Sequence, residues 1–229
     1  MRTFLFIAVV GLMLAVILEN VNATGNNSPT KELIHAHGNL QNHATENCWD
    51  DNFCHKDIEI SGDKSLIVQH KGNTYGWRSV FAKYPIVLNK SLSDFFYYEI
   101  SVMKKDERCS WGITFGFAVK QQTKLDGAIR YEKGTFAYES DGIVWINGKV
   151  NESNREYCYG VGDTVGIGVN SATRQIIFTK NGIRLDNSDL LVDPSFADGS
   201  FYPFVTLLFS GDQIEANFGP NFKFDLATL

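Results

Sequence analysis

The side chains able to do chemistry are unevenly spread along the 229 residues. Five histidines occur, His35, His37, His43, His55 and His70, and none follows. The commonest general base is therefore missing from most of the chain. A Ser-His-Asp or Cys-His arrangement would have to fold His55 or His70 back onto a distant nucleophile, and neither a G-x-S-x-G elbow nor a cysteine-protease signature accompanies them. Carboxylate pairs are the other route, since two of them ~5 to 9 Å apart can hydrolyse glycosides. Glu139 with Asp141, and Asp212 with Glu215, are the pairs to weigh. Asp141 and Asp212 lie in glycine turns, where aspartate has an ordinary structural use. Glu215 falls on the outward face of a strand, so these carboxylates read as solvated surface and the chain as non-enzymatic.

His35, His37, His43, Cys48, Cys54 and His55 gather four of the five histidines and two of the four cysteines. Their spacing matches neither a zinc finger nor a zinc ribbon, and no metal or cofactor is assigned. The four cysteines, Cys48, Cys54, Cys109 and Cys158, allow three pairings. A Cys48–Cys54 bridge would staple the entrance of the folded region, although a reducing compartment would keep both thiols free. Cys109 and Cys158 sit in or beside predicted strands and read as small buried thiols. Gly160-x-Gly162 has Val165 where a dinucleotide fingerprint needs glycine, and β-branched residues follow where it needs a helix.

Arg2, the apolar run Phe4 to Leu18 and Val21-Asn22-Ala23 read as a secretory signal over residues 1–23. Residues 24–47 read as a flexible polar leader, with a weak helical turn over Lys31 to Leu40. A net charge of −5 with scattered lysines argues against nucleic-acid or anionic-membrane binding. Sequons at Asn26, Asn89 and Asn151 would need exposed loops to carry glycans.

The rest reads as strands and turns. In Thr164 to Val169, Val165, Ile167 and Val169 alternate with Gly166 and Gly168; Ile176 and Phe178 then alternate with Ile177 and Thr179. Asn147-Gly148 and Asn181-Gly182 are hairpin turns. Phe96, Tyr98, Ile100 and Val102 share one face of a long strand, expected to pair with Trp111 to Ala118. Short strands at regular spacing without a helical period predict one all-β domain over residues 48–229, a sandwich of two antiparallel sheets.

The motifs Gly162-Asp163-x-Val165-Gly166 and Phe178-x-Lys180-Asn181-Gly182 resemble the signature of the SPRY (B30.2) domain. Trp49, Pro85-Ile86, Phe96 to Ile100, Gly134-x-Phe136-x-Tyr138, Asp141-Gly142 and Ala216 to Gly219 extend the likeness in family order over residues 49–229. With the signal segment, the chain resembles the secreted SPRY effectors of plant-parasitic cyst nematodes. The resemblance implies a bent, jelly-roll-like sandwich whose loops bind proteins, acting as a monomer. It also implies a host plant protein as partner, an immune receptor or ubiquitin-pathway component, met after secretion in the host cytoplasm or nucleus. Carried over by position, the binding residues are Lys83, Pro85, Thr123, Leu125, Tyr131, Phe209, Ser210 and Gly211, bordered by Tyr75, Trp77 and Arg78. The alternative is a secreted lectin, for which Trp145 is the best sugar platform.

Overall fold

Alternation of apolar and small or polar residues at period two forces most of this chain into extended segments that bury one or both faces. The computed structural model describes residues 46–88, 95–120, 124–186, 190–196 and 200–229. The signal segment, the Lys31 to Leu40 turn, His35, His37, His43, Asn26, Asn89 and Thr123 lie outside the described residues. Ala44–Leu229 form one compact unit.

The strands are β1 (Trp49–Cys54), β2 (Ile58–Ser61), β3 (Ile67–His70), β4 (Arg78–Ala82), β5 (Ile86–Val87), β6 (Phe95–Lys104), β7 (Ile113–Val119) and β8 (Thr135–Glu139). They continue as β9 (Ile143–Ile146), β10 (Lys149–Ser153), β11 (Thr164–Asn170), β12 (Ile176–Lys180), β13 (Ile183–Arg184), β14 (Ser200–Leu207) and β15 (Gln213–Asn217). Two antiparallel sheets result. The first runs β1-β4-β14-β7-β8-β9-β10, with β5 paired to the start of β14; the second runs β13-β12-β11-β6-β15-β3-β2. Between them lies one large apolar cluster, to which Phe115, Phe117 and Tyr138 contribute from the first sheet and Tyr98, Ile167 and Phe178 from the second.

β11 and β12 pair as neighbours, Ile167 opposite Phe178, with Val165, Ile167, Val169, Ile176 and Phe178 inward as their alternation predicts. The glycines of β11 have a packing reason. A Cβ on Gly166 would stand 2.1 Å from the Tyr97 hydroxyl, and one on Gly168 2.5 Å from the Phe95 ring. Two bare positions thus let the rings of β6 lie across β11. The Asn147-Gly148 and Asn181-Gly182 turns have positive φ at both residues, as two-residue hairpins require.

The expected pairing of β6 with β7 does not occur. β6 pairs with β11 and β15, and β7 with β14 and β8, so the two strands face each other across the core. Their shared apolar pattern records packing: the Tyr98 ring lies 5.8 Å from Phe115 and 5.5 Å from Phe117. The Tyr98 hydroxyl also reaches the opposite sheet. It accepts from Gly116 N–H at 3.0 Å and shares its proton between the carbonyls of Gly116 (2.8 Å) and Phe204 (3.1 Å).

Asn47, assigned from sequence to the leader, is buried, and its side chain bonds to both backbone groups of Tyr84. All four cysteines are free and only half-buried. Cys48 bonds to Lys83 and Cys54 lies opposite Val80 on β4, a separation on the order of 10 Å and too far for a bridge between these two. Asn151 is exposed, on β10 at the edge of the first sheet.

Tyr98→Phe keeps the ring and strips three buried backbone groups of a partner. We expect a loss of about 1–3 kcal/mol in urea unfolding; an unchanged midpoint would mean the hydroxyl is not the tie between sheets. Gly166→Ala should cost a similar amount, about 1–3 kcal/mol, through overpacking against Tyr97. Wild-type stability in that variant would contradict the close approach.

Candidate functional site

The register of three strands in the first sheet gathers an aromatic surface at one end. Leu207 near the end of β14 pairs with Arg78 at the start of β4 and with Ile113 at the start of β7. Trp77, Trp111 and Phe209 therefore all lie within two residues of one rung. Tyr75, on the loop before β4, is 64% exposed and meets Phe209 at 5.5 Å and Trp111 at 6.4 Å. Trp111 in turn lies 6.0 Å from Trp77 and 6.1 Å from Phe209. Gly112, at φ +128, leaves room for the Phe209 ring, which a Cβ there would approach to 2.8 Å.

Each loop bearing a ring is tied down. The His70 Nδ1 accepts from Gly72 N–H at 3.1 Å, and Nε2 lies 3.2 Å from the Gly76 carbonyl. An accepting Nδ1 makes Nε2 the donor, so the ring is neutral, and burial holds its pKa below 6.5. The Asp212 carboxylate accepts from Asp106 N–H (2.8 Å) and Phe209 N–H (3.2 Å), joining the β6–β7 loop to the β14–β15 turn. Asp212 is buried rather than solvated as its sequence suggested, and burial pushes its carboxyl up to about 6.

The patch continues onto the segment before β8. A 3-10 turn, Ile129–Tyr131, places the Arg130 guanidinium 4.3 Å from the centre of the Trp77 ring, 4.5 Å from Tyr131 and 5.3 Å from Trp145. Such stacking suits a delocalised cation on π faces. Arg130 pairs with Glu139 at 3.1 Å, and Trp145 Nε1 donates to the same carboxylate at 3.1 Å. Glu139 too departs from the solvated expectation: it is 2% exposed, and burial pushes it up to about 7 against the pull of Arg130. Its place in a glycosidase pair is taken by a structural ion pair. Glu215 is exposed on β15, as expected.

Of the residues singled out from sequence, Tyr75, Trp77, Tyr131 and Phe209 are brought together. Ser210 and Gly211 complete the turn beside Phe209, and Gly211 N–H bonds to His70 O. Leu125 is half-buried against the outer apolar cluster of the first sheet, with its carbonyl bonded to Ser79 N–H. Arg78 borders the patch, but its Nε is held by Asp57 at 2.8 Å. Lys83 and Pro85 follow the opposite end of β4, on the order of 17 Å away along the strand. Trp145 is buried with its N–H occupied and Arg130 and Tyr131 beside it, which closes the face a sugar would need.

Trp111 and Arg130 were not singled out. Trp111 looked like one more inward residue of β7, although it precedes the strand. Arg130 carried only a weak signal, a cation beside Tyr131 in a glycine-flanked loop. Among the described residues no three His, Cys, Asp or Glu side chains cluster to hold a metal ion.

Comparison with known proteins places the fold. A Drosophila melanogaster protein named Ran-binding proteins 9/10 homolog is 26% identical over 213 residues, covering 89% of this chain and 21% of its own length. A human SPRY domain crystal structure superposes with a TM-score of 0.56 at 21% identity, over 73% of this chain and 98% of that one. The SPRY domain of human HERC1 gives 0.57 at 17% identity, over 74% and 96%. The SPRY domain model matches residues 95–221, which is more than half of the sequence. The chain belongs to the SPRY domain family.

Proposed function

We infer that this SPRY domain is a protein-binding module whose docking surface is the patch formed by Tyr75, Trp77, Trp111, Tyr131 and Phe209. SPRY domains in general serve protein–protein interaction rather than catalysis, and the local chemistry supports that use here. Trp, Tyr and Arg dominate binding hot spots because they bury large area at little conformational cost. Tyr75 and Tyr131 are 64% and 57% exposed at the two ends of a contiguous aromatic surface, and contiguous exposed apolar patches mark interaction sites. The carrying observation is that four separate segments present these rings while His70, Asp212 and Arg130 anchor them from beneath. A partner then meets a preformed surface, which lowers the ordering cost of binding.

We extend the reading to a secreted effector that binds a host plant protein in the host cytoplasm or nucleus and modulates immunity. The amino-terminal signal pattern and the likeness to nematode effectors support that extension.

The test is proximity labelling in the plant-cell cytosol with residues 24–229 fused to a labelling enzyme. Tyr75→Ala with Phe209→Ala should abolish a specific set of labelled proteins while the far-UV spectrum stays the same, whereas Lys83→Ala should leave the set intact. A set that survives the first variant and vanishes in the second would move the surface to the other end of β4. The anchoring role has its own pH signature. Asp212 has a folded pKa raised from 3.8 to about 6, so its contribution is full below pH 4 and is lost as pH rises through 6. Relative to Asp212→Asn, the wild type should lose on the order of 1–2 kcal/mol of unfolding free energy between pH 4 and 7. A constant offset would show that Asp212 ionises as in the unfolded chain.

A further inference from the structure

Cys109 and Cys158 lie 49 positions apart in sequence, yet they line one cleft of about 530 Å³ with Lys105, Ser110, Ser140 and Val161. Ser140 explains the convergence. Its hydroxyl donates to the carbonyl of Ser110 at 2.8 Å, and its own carbonyl accepts from Tyr159 N–H at 3.0 Å. Each cysteine is thus one residue from a hydrogen bond to the same buried serine.

Two further contacts fix the walls. The Lys105 ammonium donates to the carbonyl of Cys109, and the Lys180 ammonium to that of Cys158. The Cys158 thiol donates to Asp141 O at 3.0 Å. Both cysteines are half-exposed and reduced. The Cys54 thiol is pushed up to about 12 by burial.

We propose that Cys109 and Cys158 are a dithiol modification site that reacts with a small-molecule disulfide and closes to an intramolecular bridge. The thiolate of one cysteine attacks a sulfur of the external disulfide, forming a mixed disulfide and expelling one small thiolate. The second cysteine's thiolate then attacks the protein sulfur of that mixed disulfide and expels the second small thiolate. Two protein thiols are oxidised to one disulfide, the external disulfide is reduced to two thiols, and the two protons released pass to the departing thiolates.

The bridge would act on the aromatic patch without touching it. Cys109 belongs to the β6–β7 loop, which also carries Trp111 and is bonded to Asp212 through Asp106 N–H. Cys158 belongs to the segment between β10 and β11. Joining them tethers the Trp111 loop to the segment between β10 and β11, so oxidation adds a covalent tie to a loop that carries one of the patch's rings.

The experiment treats the full chain, natively folded, with glutathione disulfide, then alkylates the remaining thiols and digests without reduction for mass spectrometry. The expected result is a linked peptide pair containing Cys109 and Cys158, with Cys48 and Cys54 alkylated. Cys158→Ser should leave a persistent glutathione adduct on Cys109, and Cys109→Ser one on Cys158, each variant keeping its near-UV spectrum. Recovery of both cysteines alkylated, two separate adducts in the wild type, or linkage to Cys48 or Cys54 would each overturn the proposal.

Discussion

The sandwich depends on one buried hydroxyl. Tyr98 stands in the middle of β6, the central strand of the second sheet, and bonds with the backbone of β7 and β14 in the first. The hydrophobic effect that drives sheet-on-sheet packing is itself non-directional. A tyrosine whose oxygen must meet Gly116 and Phe204 cannot slide, since a shift would strand buried polar groups. Tyr159 repeats the device nearby, donating to the carbonyls of Ile113 and Tyr138. Together they fix the register of β7 and β14, and that register brings Trp111 beside Phe209. The binding surface is in this sense a consequence of the core.

The outer faces follow a second pattern in which a buried charge holds a covering segment. On β6, Glu99 is 2% exposed and accepts from the backbone of Lys223 and Phe224 and from the Tyr97 hydroxyl, fastening the carboxy-terminal stretch over the second sheet. On β8, Glu139 holds Arg130 and through it the segment before β8. A buried ion is costly unless fully paired, so such groups specify position more than they add stability. The loops that carry the patch are therefore rigid for local reasons, and they need no partner to order them.

Much of the fold could be read from residue order because strands write themselves at period two: β11, β12 and β15 lie where alternation put them, with the expected residues inward. Which strands pair could not be read so. β6 and β7 are consecutive and equally apolar, and only the crossover between sheets separates them. The site suffered from the same gap. Tyr75, Trp77, Tyr131 and Phe209 were visible as aromatic residues in loops, but the distance between Phe209 and Lys83 depends on the antiparallel register of β4 and β14, a non-local quantity. Glu139 and Asp212 looked solvated because a carboxylate's burial is decided by what covers it, here Arg130 and the backbone of Asp106 and Phe209.

The central claim is the location of the docking surface. The most direct measurement selects binding peptides from a random library displayed on phage and then maps one bound peptide by amide hydrogen exchange. The account predicts new protection confined to residues 71–78, 105–112, 124–131 and 208–212, with little change elsewhere because the scaffold is already ordered. Protection centred on Lys83 to Leu88, or along the exposed edge strand β10, would contradict it.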